Sequence, residues 1–340
     1  MAKIAINGFG RIGRLFFRQA FGHPQIDIRA INDLGTLKNL AYLLKYDTVY
    51  GEYEKEVSFD EEKGVLIVDG KEIRFLQERD PLKLPWKEMD IDVVVEATGV
   101  FAAFSKAAVH FKAGAKKVVI TAPAKDQEGV EGGKTILVGV NEKDFTDAKL
   151  TSNGSCTTNA IAQVIKILDE NIGIAKAVLN TIHAYTANQN LVDGVSRSSD
   201  LRRGRAAAHN IVPTSTGAAI CTTRMIKNLE GKFDGIALRV PVICGSIADI
   251  TAVVKRDTTV EEINQILKRE SENPRWRGLL KVNEQPLVSS DIIKQPYGAI
   301  VDLSFTKVID KNLVKVLVWY DNEWGYVTTL IKHILELVES

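Results

Sequence analysis

The chain has few cysteines and no excess of charge of either sign. Three cysteines are scattered through 340 residues. This odd, sparse set does not form a disulfide scaffold and favours free thiols in a reducing compartment. Lys and Arg number 44 and Asp and Glu 43, for a formal net charge of +1. The balance gives no reason to expect a nucleic-acid surface or a polybasic membrane patch.

Long hydrophobic runs are also missing. Runs such as 93–95 and 314–320 are far too short to span a bilayer. The N-terminus has no basic segment followed by an apolar one, so no secretory signal is expected. There is no internal repeat or low-complexity segment, and no metal site is predicted. These features predict a soluble cytoplasmic protein, and the length with 45% hydrophobic content predicts two domains.

The first 150 or so residues alternate short β-branched runs with helical patterns, which predicts an α/β fold with a mostly parallel sheet. Predicted strands cover 3–6, 26–32, 93–96 and 117–121, with antiparallel excursions over 57–69. Predicted helices cover 11–21, 37–44 and 105–113.

The second half has longer strands with polar alternation and few crossover helices, which favours a mixed or antiparallel sheet. Predicted strands cover 175–183, 236–239, 248–254, 299–302 and 315–319. Predicted helices cover 161–170, 260–269 and 327–338. Residues 193–210 are rich in Arg, Ser and Gly, and we predict a long functional or interface loop there.

A glycine fingerprint follows the first strand and opens the first helix. Gly8 would allow the tight turn, and Gly10 would let the backbone approach a pyrophosphate. Gly13 would let the helix pack closely on the strand. Asp33 lies 20 residues after Gly13, where an acid can bond ribose hydroxyls and repel a 2′-phosphate. The motif therefore predicts a site for NAD rather than NADP. A ligand-free glycine turn, with Asp33 as a turn residue, is the alternative.

Other residues follow the carboxyl ends of predicted parallel strands, where such folds bind ligands. These residues are Thr98, Gly99 and Thr121.

Cys156 lies in a segment of small and hydroxylated residues that opens a helix, 152–159. The helix dipole and free N–H groups stabilise a thiolate there, so we expect a lowered pKa for Cys156. Cys221 and Cys244 lie in apolar patterns and are predicted to be buried structural residues. His183 ends an apolar strand and is the histidine placed to activate a thiol. The other four histidines, at 23, 110, 209 and 333, are predicted to be structural or solvated.

Several segments have the residue types that bind anions. They are the arginines of 202–205, the hydroxyl-rich segment 214–217 and Arg239 at a strand end. With Thr157 and Thr186 they would make two anion pockets beside a thiolate. Solvated arginines, a helix cap or an interface ion pair are the alternatives.

From residue 3 to about 330, the chain closely resembles the glyceraldehyde-3-phosphate dehydrogenase family. The most specific segment is Ser-Cys-Thr-Thr-Asn at 155–159. The others are 5–14, 43–47, 96–99, 183–186, 205–208, 216–219, 239–241 and 319–326.

The resemblance implies a Rossmann-type NAD-binding domain, 1–155 and 320–340, and an α+β catalytic domain, 156–319. It implies Cys156 as nucleophile and His183 as base. It also implies a homotetramer in which the long loop reaches a neighbour's cofactor. Implied binding residues are Ser155, Thr157, Thr216 and Gly217 for inorganic phosphate; Thr186, Arg202 and Arg239 for the phosphate of glyceraldehyde 3-phosphate; and Arg11, Ile12, Asp33, Arg79, Thr121, Asn322 and Tyr326 for NAD.

The sequence departs from the common family pattern at three places. Ala160 stands where a second cysteine often sits, so oxidation to an internal disulfide with Cys156 is less available. The segment after Arg239 is altered, and Arg197 in a longer loop leaves some NADP use open. Erythrose-4-phosphate dehydrogenase is the rival enzyme, although it usually changes Thr186 and the Thr216–Gly217 pair, which are kept here. An NAD-responsive regulatory protein is the rival of another class.

Overall fold

The computed structural model describes residues 1–196 and 198–340. Arg197, with its expected bearing on NADP use, lies outside the described residues. The chain forms two compact units, residues 1–154 with 330–340 and residues 155–329. Among the described residues, no helix has both the length and the apolar content that a membrane span requires.

The first unit contains a nine-stranded sheet in the order β3-β4-β5-β2-β1-β6-β7-β9-β8. Its pairs are parallel except β3 with β4 and β4 with β5. The strands are β1 Ala2–Asn7, β2 Ile26–Asn32, β3 Val57–Asp60, β4 Val65–Val68, β5 Lys71–Leu76, β6 Val93–Glu96, β7 Lys117–Ile120, β8 Lys134–Thr135 and β9 Leu150–Ser152. The helices are α1 Arg11–Ala20, α2 Leu37–Lys45, α3 Phe104–Ala107 and α4 Val109–Lys112.

The buried β-branched strands of this unit confirm the predicted parallel α/β sheet. One predicted helix, 105–113, is instead divided into α3 and α4. The backbone tightens at Ala108, where ψ is −17° and the carbonyl accepts a three-residue hydrogen bond from the Phe111 N–H at 3.1 Å. Such tightening toward a 3-10 turn interrupts the regular α-helical ladder.

The second unit contains a mixed sheet of seven strands in the order β11-β12-β10-β13-β16-β15-β14. The pairs β10 with β12 and β14 with β15 are parallel, and the others are antiparallel. The strands are β10 Ile174–Ala184, β11 Val212–Ser215, β12 Phe233–Val240, β13 Ser246–Val254, β14 Leu280–Asn283, β15 Ala299–Ile309 and β16 Leu313–Tyr320. The helices of this unit are α5 Cys156–Ile172, α6 Ala218–Met225 and α7 Val260–Glu272. Helix α8, Trp324–Glu339, begins in this unit, and its residues from Leu330 onward belong to the first unit.

Helix α5 starts five residues before the predicted helix 161–170. Ser155 caps it, because its side chain accepts a hydrogen bond from the Thr158 N–H. This cap fixes Cys156 at the first helical position.

Residues 320–329, expected with the NAD-binding domain, are grouped with the second unit. Asp321 explains this grouping, since it accepts hydrogen bonds from the Lys294 N–H at 2.9 Å and from the Cys244 thiol at 3.3 Å. The last turns of α8 belong to the first unit. As functional domains, the boundaries stay a prediction.

Candidate active site

The glycine fingerprint lies in the turn between β1 and α1. Gly8 has a φ of +96°, and a Cβ there would lie 2.6 Å from the Thr98 nitrogen. A Cβ on Gly13 would collide with the Gly8 carbonyl oxygen, whereas the space around Gly10 is open. Gly8 and Gly13 are therefore required by packing, and Gly10 leaves room for a ligand near the first N–H groups of α1.

A cleft of about 490 Å³ lies at the carboxyl ends of the parallel strands in the first unit. Asp33 lies at the rim of this cleft and is fixed there by two hydrogen bonds. One carboxylate oxygen accepts from the Phe9 N–H at 2.7 Å and the other from the Gly35 N–H at 2.8 Å. Of the predicted cofactor residues, this cleft is lined by Gly8, Gly10, Asp33, Arg79 and Thr98.

The other predicted cofactor residues have different surroundings. Arg11 pairs with Asp47 and lies over the Tyr50 ring, so its guanidinium is held by the protein. The Thr121 hydroxyl donates to the Glu96 carbonyl at 3.1 Å. Ile12 follows Arg11 in α1, and Gly99 adopts a φ of +72°. Asn322 and Tyr326 belong to the second unit, where Asn322 accepts a hydrogen bond from the Ser246 hydroxyl at 2.9 Å.

Cys156 and His183 meet in the second unit. Cys156 is the first residue of α5, and His183 lies near the end of β10. The distance from Cys156 Sγ to His183 Nε2 is 3.4 Å. The cysteine is half-buried, while the histidine is buried. The two groups are thus within proton-transfer reach of each other.

The expected lowering of the Cys156 pKa is wrong. Burial raises the pKa of the thiol, and it outweighs the opposing effects of the Arg239 charge and of hydrogen bonds with Thr157. Burial, followed by the charge of Arg239, lowers the pKa of His183 to about 3. Both shifts favour the neutral thiol and the neutral imidazole in the folded protein.

Arg239 contacts the far side of the His183 ring. Its Nη1 lies 2.7 Å from His183 Nδ1 and donates to the Ala184 carbonyl at 2.9 Å. A guanidinium can only donate, so His183 Nδ1 accepts while Arg239 stays in place. The same Nδ1 is 2.7 Å from the Ala184 oxygen. If Arg239 moved away, Nδ1 could donate there and leave Nε2 free to accept a proton.

The arginine of the long loop that lies at the site is Arg203, and not Arg202 as the family resemblance implied. The Arg202 side chain is 60% exposed and pairs with Asp200 at 2.8 Å. Arg203 instead donates to the Thr214 hydroxyl at 3.1 Å, and its charge lowers the pKa values of His183 and Arg239. Arg203 is therefore the neighbour of the Cys156–His183 pair, and Arg202 is not.

The predicted phosphate-binding hydroxyls have protein partners as well. The Thr186 hydroxyl donates to Asn188 Oδ1 at 2.8 Å, and Thr216 Oγ1 accepts from the Ala218 N–H at 3.2 Å. The Ser155 hydroxyl lies 2.8 Å from that of Thr158. Gly217 caps the start of α6, with open space where a side chain would be.

Comparisons with known proteins agree with this arrangement. Residues 2–104 match the family model for the glyceraldehyde 3-phosphate dehydrogenase NAD binding domain, and residues 155–322 match the model for its C-terminal domain. The chain is 47% identical to "Glyceraldehyde-3-phosphate dehydrogenase 2" of Bacillus subtilis, covering 98% of this chain and 96% of the relative. It is 47% identical to the glyceraldehyde-3-phosphate dehydrogenase of Borreliella burgdorferi, covering 99% and 100%. The Streptomyces coelicolor enzyme of that name is 46% identical, covering 97% and 96%.

The chain belongs to the glyceraldehyde-3-phosphate dehydrogenase family. Its first unit carries the NAD-binding domain of this family of NAD-dependent oxidoreductases, and its second carries the C-terminal domain.

In this family member, Tyr320 is a site residue that the sequence reasoning missed. Its hydroxyl lies 2.9 Å from that of Thr157 and 2.7 Å from that of Thr181. Its ring meets the His183 ring edge-on, with centroids 5.9 Å apart. The inward alternation of β16 was a signal that could have found it, since Tyr320 is buried at the end of that strand.

The remaining cysteines and histidines of the dehydrogenase fit their structural interpretation. Cys221 and Cys244 are buried, as predicted. His110 and His333 are buried as well, and each has a side-chain hydrogen-bond partner. Ala160 is buried one turn after Cys156 in α5.

Proposed function

We propose that this chain is an NAD-dependent, phosphorylating glyceraldehyde-3-phosphate dehydrogenase. It would oxidise D-glyceraldehyde 3-phosphate in the presence of inorganic phosphate to 1,3-bisphosphoglycerate, a reaction of glycolysis and gluconeogenesis. The observation that carries the proposal is the 3.4 Å contact between Cys156 Sγ and His183 Nε2 in a member of this family.

The first unit fits NAD. Open space at Gly10 lets a pyrophosphate approach the first N–H groups of α1, which favour negative charge. Asp33, at the rim of the cleft, would bond the ribose hydroxyls, while Arg79 and Thr98 would line the rest of the site. NAD, when bound, supplies the acceptor for the hydride that leaves the substrate carbon.

The catalytic steps assigned to the chain's own residues begin at sulfur. Once Arg239 turns from His183 Nδ1 to the substrate phosphate, Nδ1 would donate to the Ala184 carbonyl and Nε2 would be free to accept a proton. Cys156 Sγ would then bond to the aldehyde carbon to give a thiohemiacetal, while its proton passes through His183 Nε2 to the carbonyl oxygen. His183 then removes the hydroxyl proton as the carbon is oxidised, which leaves a thioester on Cys156. Inorganic phosphate attacks the thioester carbon, the carbon–sulfur bond breaks, and His183 returns the proton to sulfur. The Cys156 backbone N–H would support the developing oxyanion.

The charge of the site supports a phosphorylated substrate. Burial and the neighbouring charge of Arg203 both lower the pKa of Arg239, so two cations lie close together there. An anion would relieve this repulsion. We assign Arg239, Arg203 and Thr186 to the substrate phosphate. We assign Ser155, Thr157, Thr216 and Gly217 to the attacking phosphate.

The proposal is tested by following NAD reduction on glyceraldehyde 3-phosphate with and without inorganic phosphate. We expect turnover to require phosphate, and we expect Cys156→Ser to abolish it while leaving NAD binding intact. A rate independent of phosphate would overturn the phosphorylating mechanism. A higher kcat/KM on erythrose 4-phosphate would favour the rival enzyme, and NAD binding without turnover would favour a regulatory protein.

We also propose a cytoplasmic homotetramer. The three free thiols fit a reducing compartment. Four apolar side chains in and immediately before the long loop 193–210 are between 72% and 92% exposed in the single chain, and a second copy would cover them. They are Leu191, Val192, Val195 and Leu201.

A further inference from the structure

A buried carboxylate lies beneath the cofactor cleft of the first unit. Glu96, the last residue of β6, is only 2% exposed. Its Oε2 accepts from Asn7 Nδ2 at 2.6 Å and faces His110 Nε2 at 3.0 Å. Its Oε1 accepts from the Thr98 N–H at 2.9 Å and from the Thr98 hydroxyl. Both oxygens are thus bound by protein donors, although burying a carboxylate is costly.

The tautomer of His110 shows that the imidazole is one of these donors. Trp86 Nε1, which can only donate, lies 3.2 Å from His110 Nδ1. Nδ1 must therefore accept, so the proton of the neutral ring is on Nε2 and points at Glu96. The Asn7 amide, the Thr98 N–H and the His110 Nε2–H are therefore all donors, and each needs a carboxylate oxygen of Glu96 to accept its hydrogen bond. An amide at this position cannot satisfy all of them.

The same carboxylate joins the loops that form the cleft. Asn7 immediately precedes Gly8, and Thr98 immediately precedes Gly99. The Glu96 backbone oxygen also accepts from the Thr121 N–H at 3.0 Å. The loops that follow β1, β6 and β7 are therefore all bonded to one residue.

Asn32 extends this network to two further loops. Its Nδ2 donates to Asn7 Oδ1 at 2.7 Å, and its Oδ1 accepts from the Glu78 N–H at 2.9 Å. Asn32 precedes Asp33, and Glu78 precedes Arg79. The predicted ribose and cleft residues are thus connected to Glu96 through side-chain amides.

We propose that Glu96 is a positioning residue for NAD. It does not need to touch the cofactor; its carboxylate holds the strand-end loops in the arrangement that NAD binds. Loops fixed before binding lose less conformational entropy when the ligand arrives, which increases affinity. The loops after β1 and β6 have little room to shift relative to each other, because a Cβ on Gly8 would already lie 2.6 Å from the Thr98 nitrogen. The inference rests on NAD as the cofactor and is independent of the aldehyde substrate.

The test uses Glu96→Gln in the full chain. Glutamine keeps the shape of the side chain but replaces one acceptor oxygen by an NH₂ donor. This donor must face either the Asn7 and His110 donors or the Thr98 N–H, so at least one hydrogen bond is lost. We expect the Kd for NAD, measured by titration calorimetry, to rise tenfold or more, since one lost charge-assisted hydrogen bond is worth about that factor. We expect kcat at saturating NAD to stay within about threefold, and the alkylation rate of Cys156 without NAD to be unchanged, because the second unit is intact.

Thr151→Val is the matched control. It removes a buried hydrogen bond in the same unit, between the Thr151 hydroxyl and His333 Nε2, which are 2.7 Å apart and away from the network. We expect it to lower the melting temperature without changing the Kd for NAD. If Glu96→Gln does not fold, His110→Phe removes one donor from the carboxylate without changing a residue that lines the cleft, and should weaken NAD binding by a smaller factor. Wild-type NAD affinity in the folded Glu96 variant, or in His110→Phe where that variant does not fold, would overturn the proposal, as would equal weakening in Thr151→Val.

Discussion

Arg202 and Arg203 are adjacent in sequence, but their side chains have different surroundings. Arg202 is paired with Asp200 and exposed, whereas Arg203 bonds Thr214 beside the Cys156–His183 pair. Both belong to one 3-10 turn, Leu201–Gly204. With three residues per turn, neighbouring side chains point about 120° apart, so the direction of the turn decides which arginine faces the site.

Replacing each arginine by glutamine separates their roles. We expect Arg203→Gln to raise the KM for glyceraldehyde 3-phosphate roughly tenfold or more, because a charge-assisted phosphate contact is lost. Arg202→Gln should change it less than about twofold, as is usual for an exposed ion pair. Steady-state kinetics at saturating NAD measure both. A larger increase in KM for Arg202→Gln than for Arg203→Gln would instead assign the phosphate contact to Arg202.

At the scale of residues, local signals predicted two groups that the structure brings within 3.4 Å of each other, and their catalytic roles came from the family resemblance. A hydroxyl-rich helix start identified Cys156, and a polar residue at a strand end identified His183. The protonation state was not predictable, because it depends on burial by distant segments. The role of Glu96 was not predicted either, because its partners Asn7 and His110 are 89 and 14 residues away in the sequence and meet it only in the folded unit.

At the scale of elements, several strands have the predicted bounds, including β2 and β6. Strand β12 is longer than the predicted 236–239, since it begins at Phe233. Gly235 interrupts the apolar pattern there, but a Cβ at this position would lie 2.5 Å from the Leu179 oxygen of β10. The glycine is thus required by the close approach of two strands, which a single-sequence pattern does not contain.

Helix α8 carries His333 into the core of the first unit, beside Thr151 and the Phe145 ring. Burial lowers the pKa of His333 to about 3, so the folded protein holds the neutral ring. The unfolded chain binds a proton near pH 6.5, and stability from this residue is therefore full above that pH and lost as pH falls toward 3.

We expect His333→Gln to be less stable than the wild type at pH 8, and the difference between them to shrink as the pH falls from 6.5 to 4. His183 and the buried carboxylates remain in both proteins, so only the difference reports on His333. Chemical unfolding across that pH range measures it. A constant difference would contradict this assignment.

At the scale of the whole molecule, the exposed apolar side chains of the long loop predict self-association. We expect light scattering coupled to size-exclusion chromatography to give four times the mass of one chain. Val195 is 92% exposed in the single chain, so Val195→Asp should leave each chain folded but lower the assembled mass. Leu82→Asp, at an exposed apolar position outside that loop, is the control and should leave the mass unchanged. A monomeric wild type would refute the tetramer.

The second unit interrupts the first, and this order has a consequence during synthesis. The nine strands of the first unit leave the ribosome first, but the turns of α8 that bring His333 to Thr151 and the Leu337 carbonyl to Lys117 follow only after the whole second unit. All of residues 155–329 must be translated in between. At translation speeds of about 5 to 20 residues per second, this takes roughly 9 to 35 seconds. We therefore expect the nascent chain to hold an unfinished core for that time, during which it is most exposed to aggregation.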